Sequence, residues 1–260
     1  MHHAAWLVWI SAAATTAIVT TNPIYLALLL SVAWVVYAAK AREGPGAASF
    51  KTFVLFDALT IVTRTALVLF GSVNVNSIVT AMVEGFRLAT LLTLFGTFNA
   101  VTDPHRVVRL APGRWHEPAL AAGLALSIAP RTIAAAQRVR EAQKMRGIEV
   151  ARWRTLPALA VPVLESGMEE AMTLAESMDA RGHGRGRRSR YRPERWDTAS
   201  VVSTVGATIA AGAFVLAATT GERSLTMPTF PLAWPVALPL LIAAVAGLAL
   251  PAFLPEKESR

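Results

Sequence analysis

The chain has 260 residues, 54% of them hydrophobic and 16% charged, with a net charge of +8 and no cysteine. A soluble domain carries about 25% charged residues, so the long Ala, Leu and Val runs point to an integral membrane protein. Without cysteine there is no disulfide framework, thiolate metal site or Cys nucleophile, and the positive charge belongs to cytoplasmic loops and not to a nucleic-acid partner.

The first apolar run follows "MHHAA". It has no basic region before it and no small-residue cleavage site after it, so it reads as a first spanning helix and not as a removed signal peptide. A span needs about 20 mostly apolar residues. Six segments meet this: residues 4–19, 24–39, 53–70, 78–100, 200–219 and 230–254. The predicted fold is all-α, about six transmembrane helices with a long helical cytoplasmic insert between the fourth and fifth. The first two spans are joined by "TTNP", where Asn22 can cap a helix and Pro23 suits its first turn.

Loop charge orients these spans. "KAREGPGAASFK" carries Lys40, Arg42 and Lys51, and residues 101–197 carry seventeen Lys and Arg, whereas "TTNP" and "GSVNVNS" carry none and "GERSLTMPT" carries only Arg223. Basic residues accumulate on the cytoplasmic side. The expectation is a multi-pass protein of the cell membrane with both termini and both basic loops inside. The domains are then residues 1–100 (spans one to four), 101–197 (cytoplasmic) and 198–260 (spans five and six).

Asp57, Arg64, Glu84 and Arg87 fall inside the spans. Charges at membrane depth are costly and often functional. Glu84 and Arg87, three residues apart, are expected to pair on one helix face; a structural role and a transport or partner role both stay open.

Three helices are predicted in residues 101–197. The first starts at Asp103-Pro104, a capping residue followed by a first-turn proline. The second runs from Pro118 to Arg146 with a kink at Pro130. Its apolar stretch 118–130 is short for a span and reads as an interfacial or cytosolic packing helix. The third runs from about Thr155 to Arg181. On it Leu164, Met168, Ala171, Met172, Ala175 and Met178 recur at three and four residues, while Glu165, Glu169 and Glu176 fall on another face. This is an amphipathic helix with a soft, Met-rich stripe.

Both long helices end alike, at Arg146-Gly147 and at Ala180-Arg181-Gly182. Taken singly, each is an ordinary helix end, with Arg complementing the dipole and Gly adopting the left-handed cap. Taken together, two like ends can present two guanidinium forks to a partner with two like docking sites. The basic run that follows holds Arg185, Arg187, Arg188, Arg190 and Arg192, expected against anionic lipid at the cytoplasmic surface.

Catalytic signals are missing. There is no GxxxxGK[ST] loop, the five His are scattered, and Glu165, Glu169 and Glu170 read as a solvated helix face. No cofactor, metal ligand or catalytic residue is expected.

With "NPIYLALLL" (22–30) and "FRLATLLTLFGTFNAVTDPHRVVRL" (86–110), the two helix ends resemble a family: the transmembrane T components of energy-coupling factor (ECF) transporters, including the T subunits of cobalt and biotin importers. The family's Ala-Arg-Gly motif stands intact at 180–182, and Met145 replaces its Ala at 145–147. The resemblance implies a non-catalytic scaffold under which two ATP-binding-cassette (ABC) ATPase subunits each receive one coupling-helix end. It assigns Arg146, Gly147, Ala180, Arg181 and Gly182 to that docking. It also implies a separate substrate-binding S component in the membrane, with Leu164, Met168, Met172 and Met178 packing against partner helices. Cobalt, nickel, biotin and other vitamins all remain open as the cargo. Two other readings stay in view. A self-contained secondary transporter would show internal repeats, against which the unequal halves count. An intramembrane enzyme would need paired acidic or His residues at matching depth.

Overall fold

A computed structural model describes residues 2–40, 45–70, 74–111, 113–147, 156–183, 196–221, 225 and 237–254. Among these, every regular element is helical: α1 (His3–Val19), α2 (Pro23–Lys40), α3 (Pro45–Leu67), α4 (Val75–Val101), α5 (Pro104–Val108), α6 (His116–Met145), α7 (Leu156–Ala180), α8 (Thr198–Thr219), α9 (Leu238–Leu248) and α10 (Leu250–Phe253). The protein is an all-α membrane protein. The starts follow the predicted chemistry. Ile24 N–H donates to Asn22 Oδ1 at 3.0 Å, and His105 N–H to Asp103 Oδ1 at 2.9 Å with Pro104 in the first turn.

The chain divides into two compact units, residues 1–110 with 194–260, and residues 111–193. The first holds α1–α5 and α8–α10 around a continuous apolar core that includes Trp9, Leu26, Leu29, Val36 and Leu94. Its helices approach through small residues, as expected where lipid removes the hydrophobic drive for helix association. Gly206 of α8 and Gly247 of α9 meet backbone to backbone; a Cβ on Gly247 would collide with the Gly206 carbonyl oxygen and lie 2.8 Å from the Ala210 methyl. Gly96 of α4 likewise seats Phe53 of α3, whose Cβ would be 3.0 Å from an added methyl.

Pro251 interrupts α9–α10, and Ala252 N–H turns back to the Ala249 carbonyl. The Leu248 carbonyl, left without its helical donor, accepts from buried Trp9 Nε1 at 2.8 Å. A helix break at membrane depth needs such a donor, because lipid supplies none. At the other end of α1, the "TTNP" turn is pinned by Thr21 N–H donating to the Leu225 carbonyl at 2.9 Å. Tyr25 packs edge-on against Phe214.

Among the described residues, four helices are able to cross a membrane by length and composition: α2, α4, α6 and α8, with α1 and α9 shorter and apolar. This differs from the expectation at α6. The helix continues through Pro130 into Thr132–Ala136, so its apolar stretch outruns residues 118–130. In α3, Lys51, Asp57 and Arg64 interrupt the apolar run.

Candidate functional site

In the second unit α6 and α7 form an antiparallel hairpin. Gln143 Nε2 donates to the Ala158 carbonyl at 3.1 Å, and Arg131 pairs with Glu170 at 3.1 Å. Moving back about twelve residues along α6 matches moving forward about twelve along α7, so the two helices run aligned without slippage. Neither has a buried residue among those described.

The two helix ends are built alike. Arg146 caps α6 and its N–H reaches the Ala142 and Gln143 carbonyls, at 3.2 and 3.0 Å. Gly147 follows at φ +77° and donates to the Lys144 carbonyl at 3.0 Å. At α7, Arg181 donates from its backbone to Ser177, Gly182 stands at φ +76° and donates to Asp179 at 2.8 Å, and His183 reaches back to Met178 at 3.0 Å. The last two bonds are the 5→2 and 6→1 pair of a Schellman cap. A Cβ at Gly147 or Gly182 would meet nothing within 4 Å, so glycine is required there by its dihedral alone.

Gly221, at φ +71°, ends α8 by the same device, but after Thr220. The glycine therefore marks only a cap, and what sets the ends of α6 and α7 apart is the Arg before it. Both Arg side chains are exposed and have no hydrogen-bond or ion-pair partner among the described residues. Met145, which stands where Ala180 stands at the other end, is 84% exposed. In an aligned antiparallel pair the two Arg lie at opposite ends, on the order of 40 Å apart at 1.5 Å per residue.

The Met-rich stripe of α7 is turned away from its own hairpin partner. Leu164, Met168 and Met172 are each about two-thirds exposed, and Met178 is half-buried. The basic run 184–195 lies outside the described residues.

In the first unit the expected Glu84–Arg87 pair does not form. Glu84 instead takes Arg64 of α3 as its ion-pair partner. The two residues stand ten positions either side of Asn74, so the antiparallel α3–α4 hairpin puts them level, and a cross-helix guanidinium reaches the carboxylate. Thr93 Oγ1 donates to Asp57 Oδ2. Arg87 is half-buried without a partner among the described residues. The sequence reading missed the Arg64–Glu84 pair because it compared neighbours on one helix; hairpin register was the signal available.

Against known proteins, the family model "CbiQ: Cobalt transport protein" matches residues 2–191. The chain belongs to that family. It is also similar to curated energy-coupling factor transporter transmembrane proteins. That of Exiguobacterium sibiricum is 27% identical over 60% of this chain and 59% of its own length. Those of Listeria innocua and Bacillus subtilis are 33% and 31% identical, each over 45% of this chain and 49% and 50% of their own. The chain thus spans about half to three-fifths of the length of the relatives it matches.

Proposed function

We propose that this chain is the T component of an ECF importer. It couples two ABC ATPase subunits in the cytoplasm to a separate substrate-binding subunit in the membrane, for uptake of a vitamin or a transition-metal ion, and hydrolyses nothing itself. The reading rests on one observation above all: two Arg side chains without a partner among the described residues, each on a glycine-terminated cap, at opposite ends of one hairpin. Their separation suits two docking grooves on two subunits and is far too large for one.

The topology that goes with this keeps six spans, α1–α4, α8 and the α9–α10 segment, in the cell membrane, with both termini and residues 101–197 in the cytoplasm. Apolar α6 is held out of the bilayer by its partner. It is bonded to α7, which carries Glu165, Glu169, Glu170, Glu176 and Asp179 and cannot cross lipid. A spanning α6 would also put the basic residues before and after it on opposite sides, against the positive-inside rule. Charged Arg185–Arg192 then lie at the inner surface, where each contributes about 1 kcal/mol near anionic lipid. The exposed stripe Leu164, Met168, Met172 and Met178 is the adaptable surface for the substrate-binding subunit.

The test is the double substitution Arg146→Ala/Arg181→Ala in the full complex. Losing one side of a desolvated charge pair costs about 2–5 kcal/mol, so retention of the ATPases on the tagged chain and uptake should both collapse. The helices should persist, because an Arg at a helix end contributes about 0.3–1 kcal/mol to that helix. Normal assembly together with normal uptake would reduce both ends to ordinary caps.

A further inference from the structure

One face of the α3–α4 hairpin carries charge where a lipid-facing surface should carry none. Arg64 and Glu84 pair across it with their side chains 43% and 40% exposed. Arg87 lies one turn further along the same face of α4 as Glu84 and is without a partner among the described residues. It stands about twelve residues into a helix of 27, some 18 Å from its start and close to its midpoint. Beside the ion pair, Asn76, Ser77 and Thr80 line an open groove of about 450 Å³.

The charges on this face do not balance. It holds two Arg and one Glu; Asp57 of α3 is bonded instead to Thr93, six residues further along α4 than Arg87, and forms no ion pair with either Arg among the described residues. Arg87 is left without a carboxylate in contact near mid-membrane depth. Lipid tails offer it no acceptor, and headgroups lie too far above and below to be reached by a side chain near the middle of the span. Buried intramembrane Arg residues face protein or water and pair there. A second copy of this chain would bring up a face with the same surplus charge.

We propose that this face receives a single transmembrane helix of another membrane protein, one that carries a carboxylate level with Arg87, and that the groove, which Leu67, Val68 and Ala81 also line, seats the outer part of that helix. The proposal rests on the reading that α3 and α4 cross the membrane; it does not depend on the docking of Arg146 and Arg181. The carboxylate neutralises the surplus charge, and a partner helix lacking it gains only apolar contact.

The chain has no cysteine, so Leu55→Cys, at an exposed position of α3, allows a single donor label. The probe is an acceptor-labelled, Leu-rich transmembrane peptide with one central Glu, compared with peptides bearing Gln or Leu there. All are placed with the full chain in phosphatidylcholine vesicles at pH 8. Energy transfer should report at least tenfold tighter association for the Glu peptide than for the Leu peptide, with Gln between. Arg87→Leu, an exchange that lipid tolerates well, should bring the Glu peptide down to the level of the Leu peptide, and Arg87→Lys should preserve most of the preference. Equal association of the three peptides, or an unchanged preference in Arg87→Leu, would overturn the proposal. Iodide quenching of the Leu55→Cys label in the same vesicles separates the two failures. A shielded label without Glu preference sinks the docking alone, whereas a fully quenched label sinks the membrane placement of α3 and the docking with it.

Discussion

The membrane unit and the α6–α7 hairpin are both helical, but they are held by different means. In the former, Trp9, Tyr25, Leu26 and Leu94 are fully enclosed, and glycines let helix backbones touch. In the latter no described residue of either helix is buried, and among the described residues one exposed ion pair and one side-chain hydrogen bond link the pair. The difference teaches where each unit finds its stability. The membrane unit encloses its own apolar core, whereas the hairpin leaves its apolar stripe and both of its Arg-bearing ends open to whatever it meets.

Substitutions at the closest contact of the membrane unit should therefore act on stability most strongly. Gly247→Val places branched carbons against the Gly206 carbonyl and the Ala210 methyl, and overpacking of this kind costs about 3 kcal/mol. Thermal unfolding in detergent should show the loss; an unchanged midpoint would mean that α8 and α9 do not touch there. A smaller effect is expected from Trp9→Phe, which keeps a six-membered aromatic ring but removes the pyrrole part with its donor to the Leu248 carbonyl. Leaving that acceptor unpaired costs about 1–2 kcal/mol, since side-chain bonds in membrane proteins are worth at most about 1.7 kcal/mol by double-mutant cycle. Trp9→Ala would confuse this with a cavity, so Phe is the cleaner comparison.

The hairpin should respond in the opposite way. Leu164→Ala/Met168→Ala/Met172→Ala removes three large side chains, yet each is about two-thirds exposed. Surface substitutions of this kind stay within about 0.5 kcal/mol apiece. Circular dichroism and the unfolding midpoint of the isolated chain should barely move, while retention of the membrane partner in the complex should fall. A large stability loss in the isolated chain would show that the stripe packs internally after all.

Hydropathy and loop charge alone dictated much of this molecule. The helices follow from runs of apolar residues, their starts from Asn22, Asp103 and Pro104, and the two glycine caps from the only dihedral that ends a helix in that way. These are local matters, decided within a turn or two of chain, and so they can be read along the sequence. What needed three dimensions was everything joining residues far apart. Glu84 takes Arg64 of another helix as its partner, and not Arg87, three residues along its own. Trp9 satisfies a carbonyl 239 residues away, and Gly206 matters only because Gly247 lies against it. The opposed placement of Arg146 and Arg181 likewise comes from the antiparallel register of α6 and α7. Helix formation is governed by neighbours four residues apart, but helix pairing depends on which faces meet, and no local pattern carries that.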